Sequence, residues 1–191
     1  LSSSSAASDV YKRQAGDLAL TQQRYQDIAL ELHQSGLNLV FSPCADVNTN
    51  PYNAIIGMRS FGTNSKNVGD HVAAAVKGAK SGGVLTTLKH FPGHGDTNID
   101  SHRDLPIVRR SKDNVWKIEL VPFRAGIDAG VDIVMPSHIL YESLDPENPA
   151  TFSKVILQDI LREKLGFQGV VISDSMNMHA LRKYYKPVDA A

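Results

Sequence analysis

The chain has one cysteine and one tryptophan in 191 residues, and its twenty Lys and Arg are matched by twenty Asp and Glu. With Cys44 alone, no intrachain disulfide forms and a cysteine-based zinc site is excluded. A net charge of zero removes the broad cationic field that nucleic acid or an anionic membrane surface would select, so no nucleic-acid partner is expected. No apolar run approaches the ~18 residues of a membrane span. Nothing at the N-terminus has the charged, apolar and small-residue order of a signal peptide, which leaves the compartment open between cytoplasm and periplasm or exterior. What is present is a globular composition, 42% hydrophobic and 21% charged, able to bury a sizeable core. A small, roughly neutral partner fits it.

Residues 1–14 are serine-rich without apolar periodicity and are expected to be a disordered leader. They resemble translated sequencing-adapter read-through, which would make them foreign to the native protein. Beyond them a pattern repeats. Helical spacing is predicted over 15–35, 65–80, 112–129 and 154–165, with Gly36, Gly82, Gly130 and Gly166 placed as stops. Apolar, β-branched runs at 37–41, 84–88, 131–135 and 169–173 read as strands, and each empties into a polar loop. Alternating helices and strands imply a parallel sheet with right-handed crossovers. A doubly wound sheet would gather its polar site at one switch point. Candidate groups after every strand favour a (β/α)8 TIM barrel instead, with its site on the C-terminal strand ends. Four β/α units make it a partial barrel.

The densest chemistry is Lys89-His-Phe-Pro-Gly-His-Gly-Asp-Thr-Asn-Ile-Asp-Ser-His102. Pro92, Gly93 and Gly95 are expected to end the strand and display these groups on a loop. In Asp100-x-His102 a carboxylate can fix one imidazole tautomer and raise the basicity of the other nitrogen, as acid/base work requires; a surface hydrogen bond is the plain alternative. Lys89 and His90 could grip substrate hydroxyls, or Lys89 could be a buried structural charge. His94 is read as shaping the loop through a backbone hydrogen bond. Asp174, at a strand end, fits a nucleophile or a helix N-cap. Arg59 fits a clamp on a polar substrate or a partner of Asp46. The histidines and aspartates could instead ligate a metal, but Pro92 and Gly93 break the helical spacing of His90 and His94, and no metal is assigned.

Together these segments resemble family 3 glycoside hydrolases of the β-N-acetylglucosaminidase branch, across residues 15–191. Lys-His-Phe-Pro-Gly-His-Gly-Asp-Thr with Asp-Ser-His is the most specific piece. Asp-Val-Asn-Thr-Asn-Pro, Gly-Met-Arg-Ser-Phe-Gly, Glu-Leu-Val-Pro-Phe-Arg, Ala-Gly-Val-Asp and Ile-Ser-Asp follow the family's order. The resemblance implies a retaining enzyme that removes terminal β-linked N-acetylglucosamine from a glycan, as in carbohydrate or peptidoglycan turnover. Asp174 would be the nucleophile and His102 the acid/base, oriented by Asp100; Arg59, Lys89, His90 and Asp46 would bind the sugar, and no cofactor would be needed. A phosphorylase of the same fold, a metal-dependent hydrolase and an inactive sugar-binding remnant are the alternatives. The family's early Asp-Gln-Glu-Gly-Gly segment has no counterpart, so residues 1–191 alone are expected to fold poorly and turn over little substrate.

Overall fold

The computed structural model describes residues 16–97 and 105–185. The expected leader, Asp100 and His102 therefore lie outside the described residues. Helix α1 (Leu18–Gln34) opens at Asp17, whose carboxylate caps the Leu20 N–H, and β1 (Leu39–Val40) follows. Helix α2 (Ser65–Ser81), capped by Asn64, leads to β2 (Leu85–Phe91). Next comes β3 (Ile107–Val108). A helical rod then runs through α3 (Lys112–Asn114), a π-helical turn Val115–Glu119 and α4 (Leu120–Asp128). Strands β4 (Ile133–Pro136) and β5 (Leu140–Tyr141), a π-helical segment Val155–Lys164, β6 (Val170–Val171) and α5 (His179–Arg182) complete it.

Strands β1, β2, β4 and β6 form one parallel sheet in that order. Leu39 pairs with Leu85, Leu88 with Val134, and Ile133 with Val170. Spatial order follows chain order with no reversal, so the sheet has no switch point; it winds one way, as a barrel does. The fold is thus the expected α/β arc of a TIM barrel, open among the described residues. Three of its features depart from expectation. Strand β2 extends past Leu88 through Lys89 and His90, because Phe91 still pairs with Pro136 and accepts the Ser137 N–H. The ladder β3–β5, Ile107 to Leu140 and Val108 to Tyr141, has no forecast in the sequence, since two residues per strand are too few for a period. The helix foreseen over 112–129 widens at Val115–Glu119. Pro122 has no N–H to return to the preceding turn and its ring crowds that carbonyl, which explains why the turn before it loosens.

The core lies between sheet and helices, where Val72, Val76, Leu88, Phe91, Leu120, Phe123, Val134, Ile160 and Leu161 are almost wholly buried. Helices α1 and α2 approach so closely that a Cβ on Gly78 would collide with the Gln22 carbonyl oxygen. That oxygen belongs to backbone and cannot swing aside. Gly78→Ala should therefore lose about 1–2 kcal/mol, overpacking of about 1–3 kcal/mol outweighing the helix propensity that alanine gains. Urea unfolding of the intact protein measures this, with exposed Lys77→Ala within about 0.5 kcal/mol as the control.

Candidate active site

Each strand of the sheet delivers polar groups at its C-terminal end. After β1 the chain turns through Ser42-Pro43-Cys44-Ala45 and places Asp46 beneath the end of β2, fastened by the Ala45 N–H to the Lys89 carbonyl at 2.8 Å. Asp46 has no exposure to solvent. Its Oδ1 accepts the backbone N–H groups of His90 at 3.1 Å and His94 at 2.7 Å. Its Oδ2 accepts the His90 Nδ1 proton at 2.8 Å and the Cys44 thiol at 3.0 Å. Burial alone would raise this carboxyl, but the His90 ring and the other donors outweigh it and hold Asp46 well below the usual carboxylate range.

This carboxylate decides the tautomer of His90. With Nδ1–H given to Asp46, Nε2 turns to the cleft and stands 3.4 Å from Arg59 Nη2. Arg59, at the end of the 3-10 turn Gly57–Arg59, is half-buried and also donates to the Ile55 carbonyl at 3.3 Å. The foreseen pairing of Arg59 with Asp46 is corrected, since His90 lies between them and takes the carboxylate. Asp46, expected among the sugar-binding residues, is wholly buried, and its oxygens meet Cys44, His90 and His94.

Lys89 is half-buried, and among the described residues its amine makes no hydrogen bond or ion pair. Burial, with the Arg59 charge beside it, lowers that amine from its ordinary value, while the negative charge of Asp174 acts to raise it. Asp174, beyond β6, is half-buried and accepts the Ser175 N–H at 2.7 Å. Its cap is a local turn, as α5 begins only at His179. Arg59, Lys89, His90 and Asp174 thus gather at one end of the sheet. Asp100 and His102 fall between described stretches.

His138, Asn50 and Asn53 carried no assignment from sequence, whereas His94 was expected to shape the loop through a backbone hydrogen bond. His138, buried after β4, faces the Ser175 carbonyl with Nε2 at 3.1 Å and Thr151 Oγ1 with Nδ1 at 2.7 Å. A ring nitrogen facing a carbonyl must donate, so Nε2 carries the proton and steadies the turn next to Asp174. Burial lowers the pKa of His138 and keeps it neutral. His94 gives its backbone N–H to Asp46 and its Nδ1 to Thr97 Oγ1 at 2.8 Å. Burial, followed by the neighbouring His90 charge, pushes it down to about 4. Asn50 and Asn53 lash the loop before Arg59 to Thr97 and His94, Asn53 Nδ2 reaching the His94 carbonyl at 2.7 Å. Gly95 must be glycine, as a Cβ would strike the Val47 carbonyl oxygen.

Donor atoms of Cys44, Asp46 and His90 lie within 4.8 Å of one another. Their protons already bind the three together, and burial raises the Cys44 thiol well above its usual value, which disfavours the thiolate that a metal needs. The set fits a hydrogen-bonded cluster better than a metal centre.

A singly wound parallel sheet with cationic, imidazole and carboxylate groups converging on its C-terminal strand ends is the layout of a barrel enzyme's active site. The model described as the glycosyl hydrolase family 3 N terminal domain matches residues 9–191, and the chain belongs to that family. It is 45% identical over 163 residues to a β-hexosaminidase of Stenotrophomonas maltophilia strain K279a, covering 85% of this chain and 48% of that protein. Against β-hexosaminidase A of Pseudoalteromonas piscicida it is 41% identical over 175 residues, 85% of this chain and 29% of the relative. A family 3 β-N-acetylglucosaminidase from Paenibacillus sp. str. FPU-7 superposes with a TM-score of 0.90 and 41% identity over 92% of this chain and 34% of that one. NagZ from Neisseria gonorrhoeae, solved with N-trifluoroacetyl-D-glucosamine, gives 0.82 and 36% over 90% and 51%. The chain therefore spans about half or less of the length of these relatives.

Glu119 lies under this site, 1% exposed, with Arg110 Nε 3.1 Å from its Oε1 but neither oxygen in an aligned hydrogen bond. Burial raises its carboxyl to about 7, against the lowering pull of Arg110. A folded-state value above the unfolded one near 4.5 means that the contribution is full below about 4.5 and lost as pH rises through 7. Raising pH from 5 to 8 should thus stabilise Glu119→Gln relative to the parent by roughly 2–3 kcal/mol. Urea unfolding of both proteins at the two pH values measures that gap, and a constant gap would contradict the assignment.

Proposed function

We propose that this chain supplies the proton-transfer, sugar-gripping and nucleophilic groups of a retaining β-N-acetylglucosaminidase acting on terminal N-acetylglucosamine of glycans such as peptidoglycan. The observation that carries the reading is the buried Asp46–His90 pair, which presents Nε2 beside Arg59 and Lys89 at the strand ends, near Asp174. Kinship supports it too, since the relatives are named β-hexosaminidases and β-N-acetylglucosaminidases, and one of them was solved with an N-acylated glucosamine.

In this reading Arg59 and Lys89 donate to hydroxyls of the sugar, while His90 Nε2 accepts from one. The Asp174 carboxylate attacks the anomeric carbon; the bond to the leaving oxygen breaks, and that oxygen keeps the electron pair and takes a proton from the His102 imidazolium. Neutral His102, oriented by Asp100, then takes a proton from water, whose oxygen attacks the same carbon and releases Asp174. Two inversions leave the configuration unchanged. An imidazole replaces the second carboxylate that most retaining glycosidases use. It also repels phosphate less than a carboxylate would. With Lys89 and Arg59 alongside, phosphorolysis is the second reading, in which inorganic phosphate replaces water and the product is sugar 1-phosphate.

Incubating the intact protein with a slow, 5-fluorinated N-acetylglucosaminyl donor should leave one sugar mass on the peptide containing Asp174. Asp174→Ala should lower kcat/KM at least about 10³-fold. Sugar on another residue would overturn the assignment, and the released product, free sugar or its 1-phosphate, separates the two readings.

A further inference from the structure

Asp174 follows β6, where the Ile172 N–H still bonds the Val134 carbonyl at 3.1 Å. Beyond that bond its carboxylate takes its direction from a turn. Oδ1 accepts the Ser175 N–H at 2.7 Å, and the Ser175 carbonyl accepts the Met178 N–H at 3.1 Å. The same carbonyl has a second lone pair, which takes the Nε2 proton of His138 at 3.1 Å. That ring comes from another strand. His138 follows β4, whose exit is tied to β2 by the Ser137 N–H on the Phe91 carbonyl at 2.8 Å. It thus ties the turn after β6 to the interior of the sheet.

The ring is fixed from its other side as well. Thr151 Oγ1 stands 2.7 Å from Nδ1 and 2.9 Å from the Ser137 carbonyl, and the neighbouring Ala150 N–H bonds the Ile139 carbonyl at 2.8 Å. A hydroxyl has one hydrogen to give. Donated to Nδ1, it holds the imidazole in the tautomer that has a proton for Ser175. Burial, which lowers the pKa of His138, keeps this neutral form in place. The negative charge of Asp174 acts on both His138 and Lys89, so the carboxylate lies within electrostatic reach of the ring that steers its turn.

We propose that His138, locked by Thr151, is a positioning residue for the nucleophile: through the Ser175 peptide it sets where the Asp174 carboxylate stands before the anomeric carbon. The inference rests on the glycosidase reading. A displacement of about 1 Å in a reacting group costs on the order of 10² in rate. Attack by the carboxylate feels that loss, whereas the grip of Arg59, Lys89 and His90 on an unreacting sugar does not.

Two readouts on the intact protein separate placement from support of the site. One is the rate at which the 5-fluorinated donor labels Asp174, as the carboxylate oxygen bonds the anomeric carbon and the leaving group departs with its electron pair. The other is the dissociation constant for N-acetylglucosamine, measured by calorimetry. His138→Met should slow labelling about 10²-fold while sugar binding stays within about threefold. His138→Gln, whose amide can still donate to Ser175, should recover at least about tenfold of that loss. Thr151→Val, which keeps the ring but frees its tautomer, should lose about fivefold. In Asp174→Ala, azide can attack the anomeric carbon of a 2,4-dinitrophenyl glycoside in place of the carboxylate, giving the glycosyl azide and dinitrophenolate. Adding His138→Met there should change the azide rate no more than about threefold, since the group it positions is gone. Unchanged labelling, sugar binding that weakens in step with it, or an equal loss in the azide reaction would overturn the positioning role while leaving the glycosidase reading intact. Absence of sugar on Asp174 in the unsubstituted protein would instead overturn that reading and this inference with it. Thermal unfolding shows which variants fold, and if His138→Met does not, Thr151→Val decides by the same readouts.

Discussion

A carboxylate shut away from water must find its partners within the protein, and Asp46 finds them in Cys44, both the backbone and ring of His90, and the backbone of His94. Those partners come from the exit of β1, the end of β2 and the loop beyond it. One negative charge thereby fixes how far apart two strand ends lie, which way an imidazole is protonated and where the following loop departs. Removing any donor would leave a buried charge short of partners, the costly situation for an ion in a low-dielectric interior. Arg59 and Lys89 stand next to this pair, so two half-buried cations border the His90 ring.

A second polar layer lies further from the sheet. Pro122 loosens the helix before it, and Glu119 closes the widened turn. Its carboxyl points under Gly93 and toward Arg110. Asp46 and Glu119 differ in the number of hydrogen bonds they accept. The first is held ionised by its donors, whereas the second is driven toward neutrality by burial. Two buried acids with opposite tendencies, on either side of one loop, give the site its electrostatic asymmetry.

Much of this was legible in the residues. Regular apolar spacing located α1 and α2, and β-branched runs bounded by glycine located the four strands of the sheet, because burial on one face or both imposes those periods. Lys89, His90, Arg59 and Asp174 stood out as polar groups just past apolar runs. Other features depend on distance in space, which a linear pattern does not carry. Asp46 and His90 are far apart in the chain, so the orientation of the imidazole could not be read. Arg110 sits in Val-Arg-Arg-Ser, an unremarkable charged stretch, and its hydrogen-bond acceptors, Asp96 and Thr49, come from two other segments. His138 was visible as a polar exit from β4, but its bond to Ser175 becomes evident only when β4 and β6 lie side by side. Missing too was the β3–β5 ladder, whose strands are too short to show alternation.

That ladder has a bearing on heat. With two residues in each strand, it forms a small cooperative unit, and such units open well below the free energy of the global transition. Val108 and Tyr141 of the ladder reach the main core, but the sheet of β1, β2, β4 and β6 is hydrogen-bonded without it. Warming the protein therefore frays β3 from β5 first, while the bulk of the fold holds. In such an arrangement amide exchange at Leu140 and Glu142 quickens at temperatures where the circular dichroism of the helices has not yet changed.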